Sequence, residues 1–171
     1  MTTTTPTTTD FILEEMENDP STMTHLFQFA MMGSSDEEKL SMTNASLIMW
    51  ATVKGKLDVV KELVKSPSGI DEYAIESAFE SAIGHGQLHI IEWLFEQGYT
   101  VPENALVDAV SHNRLNVVKW LVSNVNYDPY DIEFVLKVAE EYEYDDIATY
   151  LKSKNWLNIN LKTVQIKNVF N

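Results

Sequence analysis

The side chains with the greatest capacity for chemistry are four histidines and several neighbouring carboxylates. His85 and His89 stand four positions apart, the spacing of metal-binding histidines on one helix face, but Gly86 lies between them and predicts a turn. No His-Glu-x-x-His pattern and no Gly-x-Ser-x-Gly pattern occurs in the chain. We therefore predict no metal site, no catalytic residue and no cofactor.

The carboxylate pairs lie close together near the end of the chain. General acid catalysis uses such groups, but it normally needs a pocket in which polar side chains converge. A run of charge is more typical of a solvated helix face. We define the acidic patch as Glu140, Glu141, Glu143, Asp145 and Asp146. It is a candidate surface for a partner rather than a candidate active site.

Composition narrows the class of protein. The chain has 171 residues and no cysteine, which fits one domain in a reducing, cytoplasmic compartment and excludes disulfides and thiolate catalysis. The start, MTTTTPTTTD, has neither a basic nor an apolar region, so we expect no signal peptide. No apolar run has the roughly 18 residues of a membrane helix, and we expect no membrane association.

The net charge of −14 is unevenly distributed. Residues 1–40 and 128–146 each carry −7, whereas residues 147–171 carry four lysines and no acid. Direct nucleic-acid binding needs cations, so this acidity argues against it. A protein partner with a basic surface is compatible with the charge, and so is a simple role in solubility.

A repeat organises the chain. The segments KLDVVKEL at 56–63, QLHIIEWL at 87–94 and RLNVVKWL at 114–121 follow one pattern. An alanine precedes the last leucine by twelve residues, as in Ala51–Leu63, Ala82–Leu94, Ala109–Leu121 and, in a fourth copy, Ala139–Leu151. The fourth copy has Asp145 where the others have a middle leucine. A regular period near 30 residues indicates stacked supersecondary units.

Each repeat predicts two helices joined by a tight turn. Apolar residues recur at helical spacing on both sides of Gly55, Gly86 or Asn113, residues that tolerate a positive φ at a helix C-cap. Glu143 takes that place in the fourth repeat. The predicted helix pairs are 46–53 with 57–65, 74–84 with 88–97, 103–112 with 115–123, and 131–142 with 145–153.

The runs WATVKGKLDVVKELV, SAIGHGQLHIIEWLFEQG and DAVSHNRLNVVKWLVSN resemble the helix–turn–helix half of an ankyrin repeat. The resemblance covers residues 44–155. In its divergence from the family pattern the chain resembles small viral or pathogen ankyrin-repeat proteins. It lacks the family's Thr-Pro-Leu-His start and the usual hairpin loop. It implies an all-α solenoid of about four repeats. The tetratricopeptide repeat is a poorer match, because its period is 34 residues and its Trp-Leu-Gly-Tyr pattern is absent.

The segments outside the repeats have other compositions. Residues 1–10 form a Thr-rich leader that we expect to be disordered. Residues 11–43 are predicted N-terminal capping helices, which a stack needs to cover its first apolar face. Residues 156–171 alternate apolar and polar side chains and predict a basic, extended tail that caps the stack or pairs with another chain.

One repeat position varies in a way that suggests binding. It holds Lys54, His85, His112 and Tyr142, at the end of each first helix. The ankyrin resemblance places this position toward the concave face. The predicted loop tyrosines Tyr73, Tyr99, Tyr127 and Tyr130 are further candidates, because tyrosine is favoured at interfaces. Free surface drift and loop packing are the alternative explanations.

These features predict a non-catalytic protein-interaction module rather than an enzyme. It would act as a stand-alone binder or inhibitor of a host or partner protein, with a monomer as the default state. A second hypothesis is an acidic decoy that imitates nucleic-acid phosphate and blocks a nuclease or a DNA-binding enzyme. Salt separates the two, since a charge-only complex weakens steeply as ionic strength rises.

Overall fold

The computed structural model describes residues 36–65 and 70–154, with side chains from Ala45 onward. Within these ranges the chain forms eight helices and no strand. They are α1 (Asp36–Val53), α2 (Leu57–Lys65), α3 (Glu72–His85), α4 (Leu88–Glu96), α5 (Ala105–Ser111), α6 (Leu115–Asn124), α7 (Pro129–Glu141) and α8 (Asp145–Ser153). The predicted all-α class is confirmed for this part of the chain.

The helix boundaries follow the predicted pairs closely, with one exception. The predicted spans 57–65 and 145–153 agree with α2 and α8 at both ends. Helix α1 begins ten residues before its predicted start, because residues 36–45 contain no Gly or Pro to end it. The predicted boundary at residue 44 therefore falls inside a helix. The leader, residues 11–35 of the N-terminal cap, and the tail lie outside the described residues.

The chain divides into two compact units. Among the described residues, unit 1 comprises residues 36–65, 70–82 and 89–99, and unit 2 comprises residues 83–88 and 100–154. In unit 1, α1 packs against α2. In unit 2, α5 packs against α6 and α7, and α8 packs against α7 and α6. The two helix pairs of unit 2 therefore lie side by side, first helix against first helix and second against second.

Every helix pair is joined by a turn with one left-handed residue. These residues are Gly55, Gly86, Asn113 and Glu143, with φ of 70°, 71°, 56° and 59°. In the third turn, Asn113 N donates to Val110 O at 2.9 Å and Arg114 N donates to Ala109 O at 2.8 Å. These are the two bonds of a Schellman motif, and they satisfy carbonyls at the helix end. The predicted C-cap is confirmed.

The repeated alanine and leucine are buried in all four pairs. Ala51, Ala82, Ala109 and Ala139 have no exposed surface, and Leu63, Leu94, Leu121 and Leu151 are at most 5% exposed. Two apolar residues ahead of each leucine are buried as well, such as Val117 and Val118. Burying a leucine side chain contributes about 1.5–3 kcal/mol, so this repeat supplies much of the core.

The middle leucine of the repeat is not a core residue, although its recurrence in three repeats suggested that it would be buried. Leu57, Leu88 and Leu115 are half-buried, and Asp145 at the equivalent place is exposed. Each of these residues begins a second helix, where one side of the first turn faces solvent. An exposed carboxylate there avoids the cost of burying a charge, so the fourth pair loses little by the change.

Side chains that follow the second, third and fourth turns bind the turn of the preceding pair, and we call these contacts the turn bonds. In unit 2, Arg114 Nε donates to Gly84 O at 2.7 Å. Tyr144, at the position equivalent to Arg114, donates from its hydroxyl to Ser111 O at 3.4 Å. Gly84 and Ser111 are themselves equivalent in the repeat, so one contact recurs with different donors.

The second turn bond uses the residue after the middle leucine. Asn116 Nδ2 donates to Gly86 O at 3.2 Å in unit 2. In unit 1, His89 Nε2 lies 3.1 Å from Gly55 O, which requires the proton on Nε2. Both acceptors are carbonyls of the left-handed residue. His89 is thus a structural side chain in this fold rather than a metal ligand.

Candidate functional site

The four residues at the ends of the first helices are exposed. Lys54 lies in unit 1, and His85, His112 and Tyr142 lie in unit 2. Each directly precedes the left-handed residue of its turn, so the shared turn geometry gives all four the same local setting. Their proposed role in binding stays a prediction.

His112 is held by its surroundings although it is exposed. Its Nδ1 lies 2.8 Å from Asp108 O, and this bond requires the proton on Nδ1. A Cβ atom built on Gly84 would lie 3.6 Å from His112 Nε2, in ordinary contact with the ring. The imidazole therefore covers Gly84 of the preceding turn, and its orientation is fixed before any partner arrives.

Tyr142 is 59% exposed and stacks on Tyr144. The ring centroids are 5.7 Å apart and the ring planes differ by 16°. Tyr144 is half-buried and its hydroxyl makes a turn bond, so it forms a fixed base for the Tyr142 ring. Stacked aromatic pairs contribute about 0.5–1.5 kcal/mol, which limits the motion of Tyr142.

Two of the four predicted loop tyrosines lie in helices. Tyr73 is the second residue of α3 and Tyr130 the second residue of α7. They are 72% and 81% exposed and occupy equivalent places, nine residues before the repeated alanine. Sequence reasoning placed them in loops because the Pro, Gly and Asp nearby suggested longer connections. Tyr99 does lie outside a helix, and it is half-buried.

Tyr127 fits a packing role better than a binding role. Its hydroxyl is buried and has no hydrogen-bond partner in the structure. Burial, followed by the negative charge of Asp131, raises the pKa of Tyr127 to about 12. Both effects disfavour the phenolate, so this side chain stays neutral.

The acidic patch divides into carboxylates with a structural role and carboxylates without one. Glu140 forms an ion pair with Lys152 at 2.6 Å, which links α7 to α8. Asp145 and Asp146 lie in the first turn of α8, where the helix dipole favours negative charge. Glu143 provides the left-handed residue of the turn, and Glu141 ends α7.

Sequence reasoning did not identify two exposed aromatic residues, Phe95 and Phe134. Phe134 is 55% exposed in the middle of α7. The other repeats have small polar residues five positions before the alanine, namely Ser46, Ser77 and Asn104. Comparing the residues at this position across the four repeats would have identified Phe134 from the sequence.

Helix α7 begins with a well-defined cap. Asp128 Oδ1 accepts from Tyr130 N at 2.9 Å, and Asp131 Oδ2 accepts from Asp128 N at 3.2 Å. With Pro129 at the first helical position, this capping box fixes where the helix starts. The exposed side chains of α7 therefore project from a backbone that is anchored at both ends, by the capping box and by the turn at Glu143.

The described ranges contain neither a cluster of metal-ligating side chains nor a membrane-spanning helix. Within residues 36–65 and 70–154, no group of three His, Cys, Asp or Glu side chains could hold a metal ion. No helix in the same ranges combines the length and the apolar character needed to cross a bilayer. No protein-family model, no curated protein and no solved structure gives a significant match to this chain.

Proposed function

We propose that this chain is a non-catalytic protein-binding module of about four ankyrin-like helix–turn–helix repeats. The observation that carries the proposal is the set of exposed aromatic side chains on the fourth helix pair. Tyr130, Phe134 and Tyr142 are all more than half exposed, although their helix also supplies buried apolar residues to the core. Aromatic side chains dominate the energy of protein interfaces, and scattered single ones would need no explanation.

The helix packing of unit 2 supports the repeat part of the proposal. Successive first helices lie against each other, and so do successive second helices. Stacked repeats are arranged in this way, and they present the ends of their first helices and their turns on one continuous surface. In this arrangement, His112 and Tyr142 would be neighbouring members of a binding face in unit 2, and Lys54 has the equivalent place in its own repeat in unit 1.

Binding through such a face suits a stand-alone binder or inhibitor that occupies a surface of its partner. We place it inside the cell, because a chain without cysteine needs no oxidising compartment. We expect no catalytic step, since the exposed groups sit on helix ends rather than in a closed pocket.

Site-specific photocrosslinking tests this proposal. A photoreactive residue at position 112 or 142, introduced in the native cell, should trap the same protein. The same residue at Thr149, an exposed position on a second helix, is the matched control and should trap nothing in common with them. Identical products from all three positions, or no product at 112 and 142, would contradict the proposal.

The acidic decoy remains the second candidate, and one observation favours it. Among the described residues, Glu141 and Glu143 have no ion pair and make no side-chain contribution that the fold requires. A decoy would bind through charge alone, so its complex should weaken steeply between low and physiological salt. A complex centred on aromatic side chains should lose little affinity over the same range.

A further inference from the structure

The aromatic side chains of the fourth helix pair form a row along α7. Tyr130, Phe134 and Tyr142 are separated by multiples of four residues, with the half-buried Val138 between the last two. Residues four apart are neighbours on a helix surface. We call Tyr130, Phe134 and Tyr142 the aromatic row. Each step of four residues turns the row by about 40° around the helix axis, so it winds along α7 to Tyr142, the residue after the helix end, and continues into the stacked Tyr144 ring.

The fold does not require these aromatic residues. The three other repeats have polar residues in place of Phe134, in place of Tyr142 and in place of Tyr144. Their turns have the same left-handed residue, and their alanine and leucine are equally buried. Three positions that are polar in the other repeats are thus aromatic in this one, although its turn has the same conformation, which points to a surface with its own role.

The charges beside the row are negative and only partly compensated. Lys137 and Lys152, the basic residues of α7 and α8, form ion pairs with Glu133 at 2.8 Å and with Glu140 at 2.6 Å. The segment EYEYDD, residues 141–146, contains four carboxylates, and none of them forms an ion pair with a described residue. They are Glu141, Glu143, Asp145 and Asp146. Acids therefore alternate with the two stacked tyrosines.

This combination limits what can occupy the row. The same surface of a second copy would bring like charges together, which costs several kcal/mol at an interface. Nucleic acid would be repelled for the same reason. A basic segment meets both features, because Lys and Arg side chains bind over tyrosine rings and to carboxylates. Tyr150 of α8 makes such contacts within the chain, with Lys119 Nζ of α6 and Lys154 Nζ at 5.6 and 5.4 Å from the centre of its ring.

We propose that the aromatic row and the EYEYDD turn together bind a cationic segment of another protein, one that also carries apolar side chains. This inference rests on the proposed function and specifies its partner. The apolar side chains pack on Phe134 and Tyr130. The basic side chains lie over Tyr142 and donate to Glu141 and Glu143. Neither charge nor apolar area is sufficient alone, which separates this site from the acidic decoy.

Fluorescence anisotropy with labelled peptides tests the proposal. The probe is a peptide of repeated Gly-Arg-Leu, compared with repeated Gly-Arg-Ser and repeated Gly-Glu-Leu. We expect the full chain to bind Gly-Arg-Leu at least about tenfold more tightly than either control peptide. Equal binding of the Gly-Arg-Leu and Gly-Arg-Ser peptides would reduce the site to charge and overturn the proposal. Failure to bind Gly-Arg-Leu would overturn it as well.

Three variants locate the site. The triple change Y130A, F134A and Y142A, and separately the double change E141Q and E143Q, should each weaken Gly-Arg-Leu binding by about tenfold or more. Met49→Ala removes an exposed apolar side chain of α1 and is the control, with no effect expected. Melting curves check that each variant is folded. Unchanged binding in either the triple or the double variant, or an equal loss in M49A, would contradict the proposed site.

The crosslinking experiment separates this inference from the proposed function. A protein trapped at positions 112 and 142 through a segment with neither Arg nor Lys would leave the function standing and overturn the cationic partner. A trapped segment rich in Arg or Lys and in apolar residues would support both.

Discussion

The third and fourth helix pairs, both in unit 2, have the same turn conformation and different surfaces, and their first helices are 7 and 13 residues long. Their left-handed turn residues have φ of 56° and 59°, and the alanine and leucine of each repeat are buried. The third pair presents His112, Asn113 and Arg114 at its turn, whereas the fourth presents Tyr142, Glu143 and Tyr144. A few positions in each repeat therefore determine the fold, and the remaining ones can take up a function.

The largest effects should come from the positions that the two pairs share. Leu121→Ala and Leu151→Ala should each cost about 2–5 kcal/mol, because both leucines are buried and their removal leaves a cavity. Urea denaturation measures the loss. Leu115→Ala, at a half-buried position of the same helix as Leu121, is the control and should cost clearly less. A cost for L151A no larger than that for L115A would show that the fourth pair is not stabilised like the third.

The turn bonds should differ in strength between the two pairs. Arg114→Ala removes a charged donor at 2.7 Å from a partly buried carbonyl and should cost about 1.5–3 kcal/mol. Tyr144→Phe removes an exposed bond of 3.4 Å and should cost at most a few tenths of a kcal/mol. Thermal denaturation of both variants measures these losses of stability. Equal losses would mean that the bond length and burial seen here do not determine its strength.

Replacing the left-handed turn residue by glycine should stabilise the fourth pair more than the third. Glu143→Gly should stabilise the chain by about 0.5–1 kcal/mol, because a side chain in this conformation costs more than the entropy that glycine loses. Asn113→Gly should change stability less, since asparagine tolerates a positive φ. The urea denaturation midpoints of the two variants measure these changes in stability. A destabilised E143G variant would indicate that the Glu143 side chain makes a contact that outweighs the strain.

The smallest effect should appear only at high pH. The pKa of Tyr127 is raised to about 12, so the folded state keeps the proton more tightly than the unfolded state, where the pKa is near 10.0. This contribution to stability is complete below pH 10.0 and is lost as the pH rises to about 12. Tyr127→Phe should therefore lose less stability than the parent chain over that interval.

The same variant has a second readout at neutral pH. The buried hydroxyl of Tyr127 has no hydrogen-bond partner, so its removal should leave stability unchanged or increase it slightly. The third pair has Gln97 at the equivalent position and offers no such group. A clear loss of stability in Y127F at neutral pH would show that the hydroxyl is satisfied, for instance by a bound water.

The fold was predictable wherever the repeat pattern was strong. The twelve-residue spacing of alanine and leucine located α2, α4, α6 and α8 to within one residue at each end. The first helices were less accurate, because their ends depend on caps that periodicity does not report. Asp128 and Pro129 start α7 two residues before its predicted beginning, and Asp71 accepts from Ala74 N to cap α3.

The candidate site was only partly predictable for a different physical reason. Exposure of Lys54, His85, His112 and Tyr142 followed from their place beside the turn. Phe134 was missed, because an apolar residue in an amphipathic helix is normally assigned to the core. The turn bonds were also missed, since they join residues 30 to 34 positions apart through backbone acceptors, which leave no side-chain pattern to read.

The turn bonds also bear on how such an array can change its number of repeats. In each bond the donor is a particular side chain, while the acceptor is a backbone carbonyl that any amino acid supplies. The choice of donor therefore belongs to the later repeat of a neighbouring pair. The earlier repeat contributes space, because a Cβ on Gly86 would lie 3.2 Å from Arg114 Cδ. A duplicated α5–α6 pair would bring Arg114 and Asn116 with it, but it would meet Asn113 in place of Gly86, so a gain of one repeat requires the Arg114 side chain to shift.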